Sequence, residues 1–159
     1  MREQSDIYSY CLDLLRQRAY STFKLKRKLK QKKYPENEIV LVSKILQSEG
    51  YLRDDLYAEA RARTWMLKGD SAFQIKRKLQ KEGLSLDELR VAALFEEESQ
   101  NEDLQIRKLV EAQLRKVKKL PSDKNDLYKL KQKIMAAVMR KGHSFAGVKA
   151  VLDEFSLKQ

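Results

Sequence analysis

Apolar residues recur along almost the whole chain at intervals of three and four, the period of an amphipathic helix. Ile7, Cys11 and Leu14 share one stripe over residues 6–18, Leu25 and Leu29 a second over 22–32, and Ile39, Val42 and Leu46 a third over 36–48. The same spacing predicts helices over 53–67, 71–82, 85–98, 101–118, 124–141 and 144–155, the last with Phe145, Val148, Leu152 and Phe155 in line. Gly50, Gly69, Gly83 and Gly142 each follow a helical stretch, where a residue in left-handed conformation closes the last turn. Ser85 with Glu88 reads as a capping box, and Pro121-Ser122-Asp123 as a breaker followed by a cap. The predicted fold class is all-α.

Sliding the chain against itself turns nine helices into a repeat. At an offset of 50, Ser21-Thr22-Phe23-Lys24-Leu25-Lys26-Arg27-Lys28-Leu29 lies over Ser71-Ala72-Phe73-Gln74-Ile75-Lys76-Arg77-Lys78-Leu79. A weaker third copy puts Ile134, Val138, Gly142, Ser144 and Val148 over Ile75, Leu79, Gly83, Ser85 and Leu89. The expected organisation is three tandem three-helix repeats, over residues 1–50, 51–99 and 100–159. Such units bury their stripes by stacking, here into an elongated, curved array of right-angled helices on the order of 60–80 Å long. Trp65, Tyr57 and Tyr51 are expected to pack at the joint between the first two repeats.

Composition agrees with helices and narrows the chemistry. Five glycines and two prolines in 159 residues leave too few turns for a sandwich, barrel or doubly wound sheet. The formal net charge is +11 and the isoelectric point about 9.7, which points to a polyanion or to a partner that handles one. One cysteine, Cys11, excludes a disulfide framework and favours a reducing compartment, so a cytoplasmic setting is expected. No apolar run approaches membrane-spanning length, and Met1-Arg2-Glu3-Gln4-Ser5 leads straight into an amphipathic segment, so neither a signal peptide nor a membrane partner is expected. No phosphate-binding glycine loop, HExxH or GxSxG occurs, and His143 has no second histidine with which to share a metal. Asp54, Asp55 and Glu59 could be imagined as a magnesium site, but aspartates just after Gly50 suit helix capping better. His143, between Gly142 and Ser144, reads as a half-exposed joint residue, and Cys11 as a small buried hydrophobe. A non-enzymatic protein is expected, with no catalytic residue, metal or cofactor.

Charge is clustered. Residues 21–33 carry Lys24, Lys26, Arg27, Lys28, Lys30, Lys32 and Lys33 with no acid, and residues 71–83 carry Lys76, Arg77, Lys78 and Lys81 against Glu82. A third basic cluster holds Arg115, Lys116, Lys118 and Lys119. Any one run could be a solvated helix face. The same Lys-Arg-Lys in the same register of two equivalent helices, Lys26-Arg27-Lys28 and Lys76-Arg77-Lys78, favours a functional basic ridge. A helix-turn-helix reader is disfavoured, because the helix after the turn holds Asp87, Glu88, Glu96, Glu97 and Glu98 against Arg90. Non-specific phosphate contact, to single- or double-stranded DNA, stays open.

The run Gly50-Tyr51-Leu52-Arg53-Asp54-Asp55-Leu56-Tyr57-Ala58, preceded by Ser21, Leu25 and Leu29 and followed by Ile75, Leu79 and Gly83, resembles the signature of the RecX regulatory proteins. The resemblance extends from about residue 6 to 155. It implies three tandem three-helix repeats and a cytoplasmic modulator of the RecA recombinase; a monomer is expected. Such a modulator docks in the groove of the RecA–DNA filament and inhibits strand exchange, ATPase and coprotease activities. The filament- or DNA-facing candidates are Lys26, Arg27, Lys28, Lys76, Arg77, Lys78, Arg115, Lys116, Lys118 and Lys119. Against the family pattern, Lys33 stands where a glycine is usual, His143 where an aromatic is common, and Ala146-Gly147 where a polar pair opens the last helix.

Overall fold

The computed structural model describes the backbone of residues 2–157 and the side chains of residues 6–155. Every regular element among them is a helix: α1 Arg2–Gln17, α2 Thr22–Gln31, α3 Glu36–Ser48, α4 Asp54–Leu67, α5 Ala72–Lys81, α6 Glu88–Glu97, α7 Glu102–Leu114, α8 Lys124–Met139 and α9 Phe145–Leu157. The periodicity located all nine, and two boundaries differ in informative ways. Helix α6 begins at Glu88, not 85: Asp87, rather than Ser85, is its cap and accepts the Arg90 amide at 2.7 Å. Helix α7 ends at Leu114, four residues before the expected 118, and residues 115–119 are irregular.

The chain divides into two compact units, Met1–Arg61 with Lys78–Leu86 and Ala62–Arg77 with Asp87–Gln159. In the first, Ile7, Cys11, Leu14, Leu25, Leu29, Ile39, Val42 and Leu46 close into one core, joined by Tyr20 and Leu52. These are the stripe residues of the first three helices. Burial pushes the Cys11 thiol up to about 11, so it behaves as an apolar side chain. Helix α2 is capped by Ser21, whose Oγ accepts the Lys24 amide at 3.2 Å. It closes on Lys33, which takes a left-handed φ of 64°. The Lys33 amide donates to Lys30 and the Tyr34 amide to Leu29, so a lysine occupies the C′ place of a Schellman turn. The equivalent turn after α5 carries Gly83 at φ 68°, with the Leu84 amide on Leu79. A Cβ there would lie 2.8 Å from the Phe23 ring.

In the second unit, Ile106, Val110, Ile134, Met135, Val138, Val148, Val151 and Leu152 form the core of α7, α8 and α9. A polar joint ties α4 and α5 to them. The Ser71 amide donates to the Lys141 carbonyl at 2.9 Å, and the Ser71 hydroxyl to the Gly142 carbonyl at 2.9 Å. Buried Asp70 pairs with Lys141 at 3.0 Å, and buried Gln105 donates to the Met66 carbonyl at 3.0 Å. His143 is not half-exposed as expected but buried. Its Nε2 lies 2.8 Å from the Gly69 carbonyl, which can only accept, so Nε2 carries a proton. Two aromatic expectations also fail. Phe145 is exposed because it opens α9 ahead of the packed stripe, which runs through Val148, Val151 and Leu152, and Tyr51 is exposed while Trp65 is buried.

Candidate functional site

The three basic clusters differ in what holds their charges. In α2, Leu25 and Leu29 are fully buried one turn apart, which fixes the helix's rotation and turns Lys24, Arg27 and Lys28 away from the core. Among the described residues, Lys26, Arg27 and Lys28 have no carboxylate partner. Lys24 is different: its Nζ lies 2.8 Å from Glu82, donates to the Tyr57 hydroxyl at 3.2 Å, and sits 5.5 Å from that ring's centre. Arg61 reaches the other oxygen of Glu82 at 3.1 Å. Burial raises the Glu82 carboxyl, but the bonds from Lys24 and Arg61 outweigh it and hold the group below its ordinary value.

The second ridge has the same helix geometry and a different electrostatic state. Ile75 and Leu79 are buried as Leu25 and Leu29 are, and Ser71 accepts the Gln74 amide at 3.2 Å as Ser21 accepts that of Lys24. Lys76 is bonded to Glu88 at 2.6 Å, and that bond holds the Glu88 carboxyl below its usual range. Arg77 lies 5.8 Å from the Phe73 ring centre. The duplication in sequence is thus a duplication of backbone and packing, while Lys26 and Lys76, its first members, differ in having a carboxylate to bond.

The third cluster does not lie on a helix. Arg115 is the C-cap of α7 and reaches Glu111 at 3.4 Å, and Lys116, Lys118 and Lys119 stand on the segment that leads to α8. Sequence reasoning also missed Arg18 and Arg61. Neither belongs to a charge run, yet the fold brings both beside Lys24, Arg27 and Lys28 around a hollow of about 500 Å³ in the first unit. Only packing of the α1 end and α4 against α2 could reveal this.

Asp54 and Asp55 lie in the first turn of α4, and Asp54 accepts the Thr22 amide of α2 rather than one of α4. Asp55 is bonded by Arg53 at 3.3 Å, which with the Leu56 amide keeps its carboxyl below the usual range. No group of three or more metal-ligating side chains occurs among the described residues, and no helix there is long and apolar enough to cross a membrane.

Residues 8–42 match the model of the RecX first three-helix domain. The RecX crystal structure from Lactobacillus salivarius shares 21% identity with this chain at a TM-score of 0.72, over 99% of each. A second crystal structure, described as regulatory protein RecX, has 21% identity and a TM-score of 0.71, covering 94% of this chain and 71% of the other. The sequence likeness to RecX thus runs from α1 into α3, and the fold is similar to that of the two RecX structures. A comparison with curated proteins finds no match. The domain match spans α2 entire, so Lys26, Arg27 and Lys28 lie inside the matched segment.

Proposed function

We propose that this protein is a non-enzymatic regulator of a RecA-type recombinase, binding the recombinase–DNA filament and inhibiting its strand exchange, ATPase and coprotease activities. RecX-like sequence from α1 into α3 and the RecX fold over nearly the whole chain support the choice of partner. The observation that carries the mode of binding is the ridge Lys26-Arg27-Lys28, three cations on a rigid helix with no carboxylate partner among the described residues. Such a ridge suits a groove where acidic protein surface and DNA phosphate lie side by side. Lys76, Arg77 and Lys78, and the loop cations Arg115, Lys116, Lys118 and Lys119, are the further contacts in this reading. The protein acts as a monomer in the cytoplasm.

Sedimentation with recombinase filaments on single-stranded DNA, beside DNA alone, tests it. The expected result is pelleting with the filament well beyond that with DNA, together with a fall in strand exchange and ATP hydrolysis. A second reading, a non-specific DNA binder, rests on the same cations. It expects equal pelleting with naked DNA and a steep salt dependence.

A further inference from the structure

The hollow in the first unit is more than a stretch of ridge. Arg18, Lys24, Arg27, Lys28 and Arg61 converge on about 500 Å³ of space, a volume in the range of small-ligand sites. Among the described residues no acid lines it; Glu82, just outside, takes Lys24 at 2.8 Å and Arg61 at 3.1 Å. Arg18 spends its Nε–H on the Tyr20 hydroxyl at 2.9 Å and lies over that ring, while Arg27 and Lys28 have no carboxylate among the described residues. Counted over these named residues, five cations and Glu82 sum to +4. Like charges gathered in a concavity repel each other more than on an open face, because less water screens them. The arrangement is therefore completed by an anion of high charge and small size.

We propose that this hollow binds a compact polyphosphate, either the triphosphate tail of a free nucleotide or inorganic polyphosphate. A triphosphate carries close to the opposite charge in a few ångströms, and its oxygens suit the planar forks of Arg18 and Arg27. The wall offers little to a base. Tyr20 is buried beneath Arg18, and the Tyr57 ring is attended by Lys24, so neither presents a clear stacking face. Recognition thus rests on phosphate and ignores the base. Glu82 is a built-in competitor that holds Lys24 and Arg61 until the anion takes over part of their charge. This site goes beyond the filament reading and stands without it, since it requires neither recombinase nor DNA.

Isothermal titration of the full chain with tripolyphosphate, ATP, GTP and a short single-stranded oligonucleotide tests the proposal. Tripolyphosphate, ATP and GTP should bind with one site each and affinities within about threefold of one another. Arg27→Gln and Lys28→Gln should each weaken binding roughly tenfold, as expected for one charge-assisted contact. Lys26→Gln removes the same charge from the adjacent position, outside the hollow, and should change affinity by less than about threefold. Glu82→Gln should tighten binding several-fold, an outcome that a merely structural role for the carboxylate would not give. If Glu82→Gln fails to fold, the contrast between Arg27→Gln and Lys26→Gln decides alone. ATP and GTP bound without tripolyphosphate, binding of the oligonucleotide only, or equal losses at Lys26, Arg27 and Lys28 would each overturn the site.

Discussion

Asp54 accepts the backbone amide of Thr22 at 2.7 Å, so the acid that opens α4 also holds the first turn of α2. That amide is one of the four at a helix start that no carbonyl of its own helix can take. A carboxylate there satisfies it and complements the helix dipole. The pairing gives Asp54 a structural task on a second helix, and a carboxylate so engaged is poorly placed to hold a metal.

Asp54→Ala should therefore cost about 1–2 kcal/mol of stability, as losing a cap does. Asp55→Ala should cost less, because its partner Arg53 is exposed. Both variants, followed by urea denaturation with and without magnesium, check this. A magnesium-dependent stabilisation of the wild type that Asp54→Asn removes would contradict the capping role. The isolated chain is expected to hydrolyse neither ATP nor DNA under either condition.

Lys33 and Gly83 occupy like turns after α2 and α5, and backbone sterics treat them oppositely. A lysine at φ 64° carries Cβ strain that glycine lacks. Lys33→Gly should stabilise the protein by about 0.5–1 kcal/mol, because the strain relieved exceeds the added freedom of the unfolded chain. Gly83→Ala meets both the left-handed backbone and the Phe23 ring and should cost about 1–3 kcal/mol. Thermal melts of the two variants should move in opposite directions.

The helices, and the likeness of α2 to α5, were legible because their signals are local. Leu25 and Leu29, and Ile75 and Leu79, were visible as spacing and are buried as that spacing requires; the caps at Ser21 and Ser71 were not read from it. What failed depended on competing or distant partners. Ser85 and Asp87 are both competent caps, and the choice fell to the one whose carboxylate meets the Arg90 amide. His143 read as half-exposed between Gly142 and Ser144, but it is buried, with Nε2 on the Gly69 carbonyl 74 positions away in the chain. The charge runs revealed Lys26, Arg27 and Lys28, yet gave no hint that Arg18, Arg61 and Glu82 gather beside them. Nor could they reveal that Lys76 is bonded to Glu88 while Lys26 has no carboxylate partner among the described residues.

Glu82 provides a pH signature. Its carboxyl is held below the ordinary 4.5 in the fold, so its contribution to stability is present above the unfolded value and is lost as pH falls through the folded one. In phosphate-free buffer, wild type should exceed Glu82→Gln in urea midpoint at pH 7. The gap should close progressively below about pH 4.5. A gap that stays constant down to pH 3 would mean that the bonds to Lys24 and Arg61 contribute nothing as ion pairs.

The two ridges should not be equal in function, although they are nearly equal in sequence. Lys26, Arg27 and Lys28 present charges with no carboxylate partner among the described residues, whereas Lys76 must first leave Glu88. Neutralising the first triple to glutamine should therefore weaken filament binding more than neutralising the second. Each fully engaged cation contributes about 0.7 to the salt slope on single-stranded DNA, so the first triple should flatten a phosphate-driven slope by about 2 and the second by less. Reversing all six to glutamate lowers the net charge from +11 to −1 and keeps residues that favour helix. Exposed charges are individually worth about 0–1 kcal/mol, so the fold should survive, and circular dichroism would report it. Suppression of the recombinase should then require far more protein at low salt. A folded six-fold variant that suppresses at the wild-type concentration would reduce both ridges to solvated helix faces. Equal losses from the two triples would show instead that Glu88 surrenders Lys76 at no measurable cost.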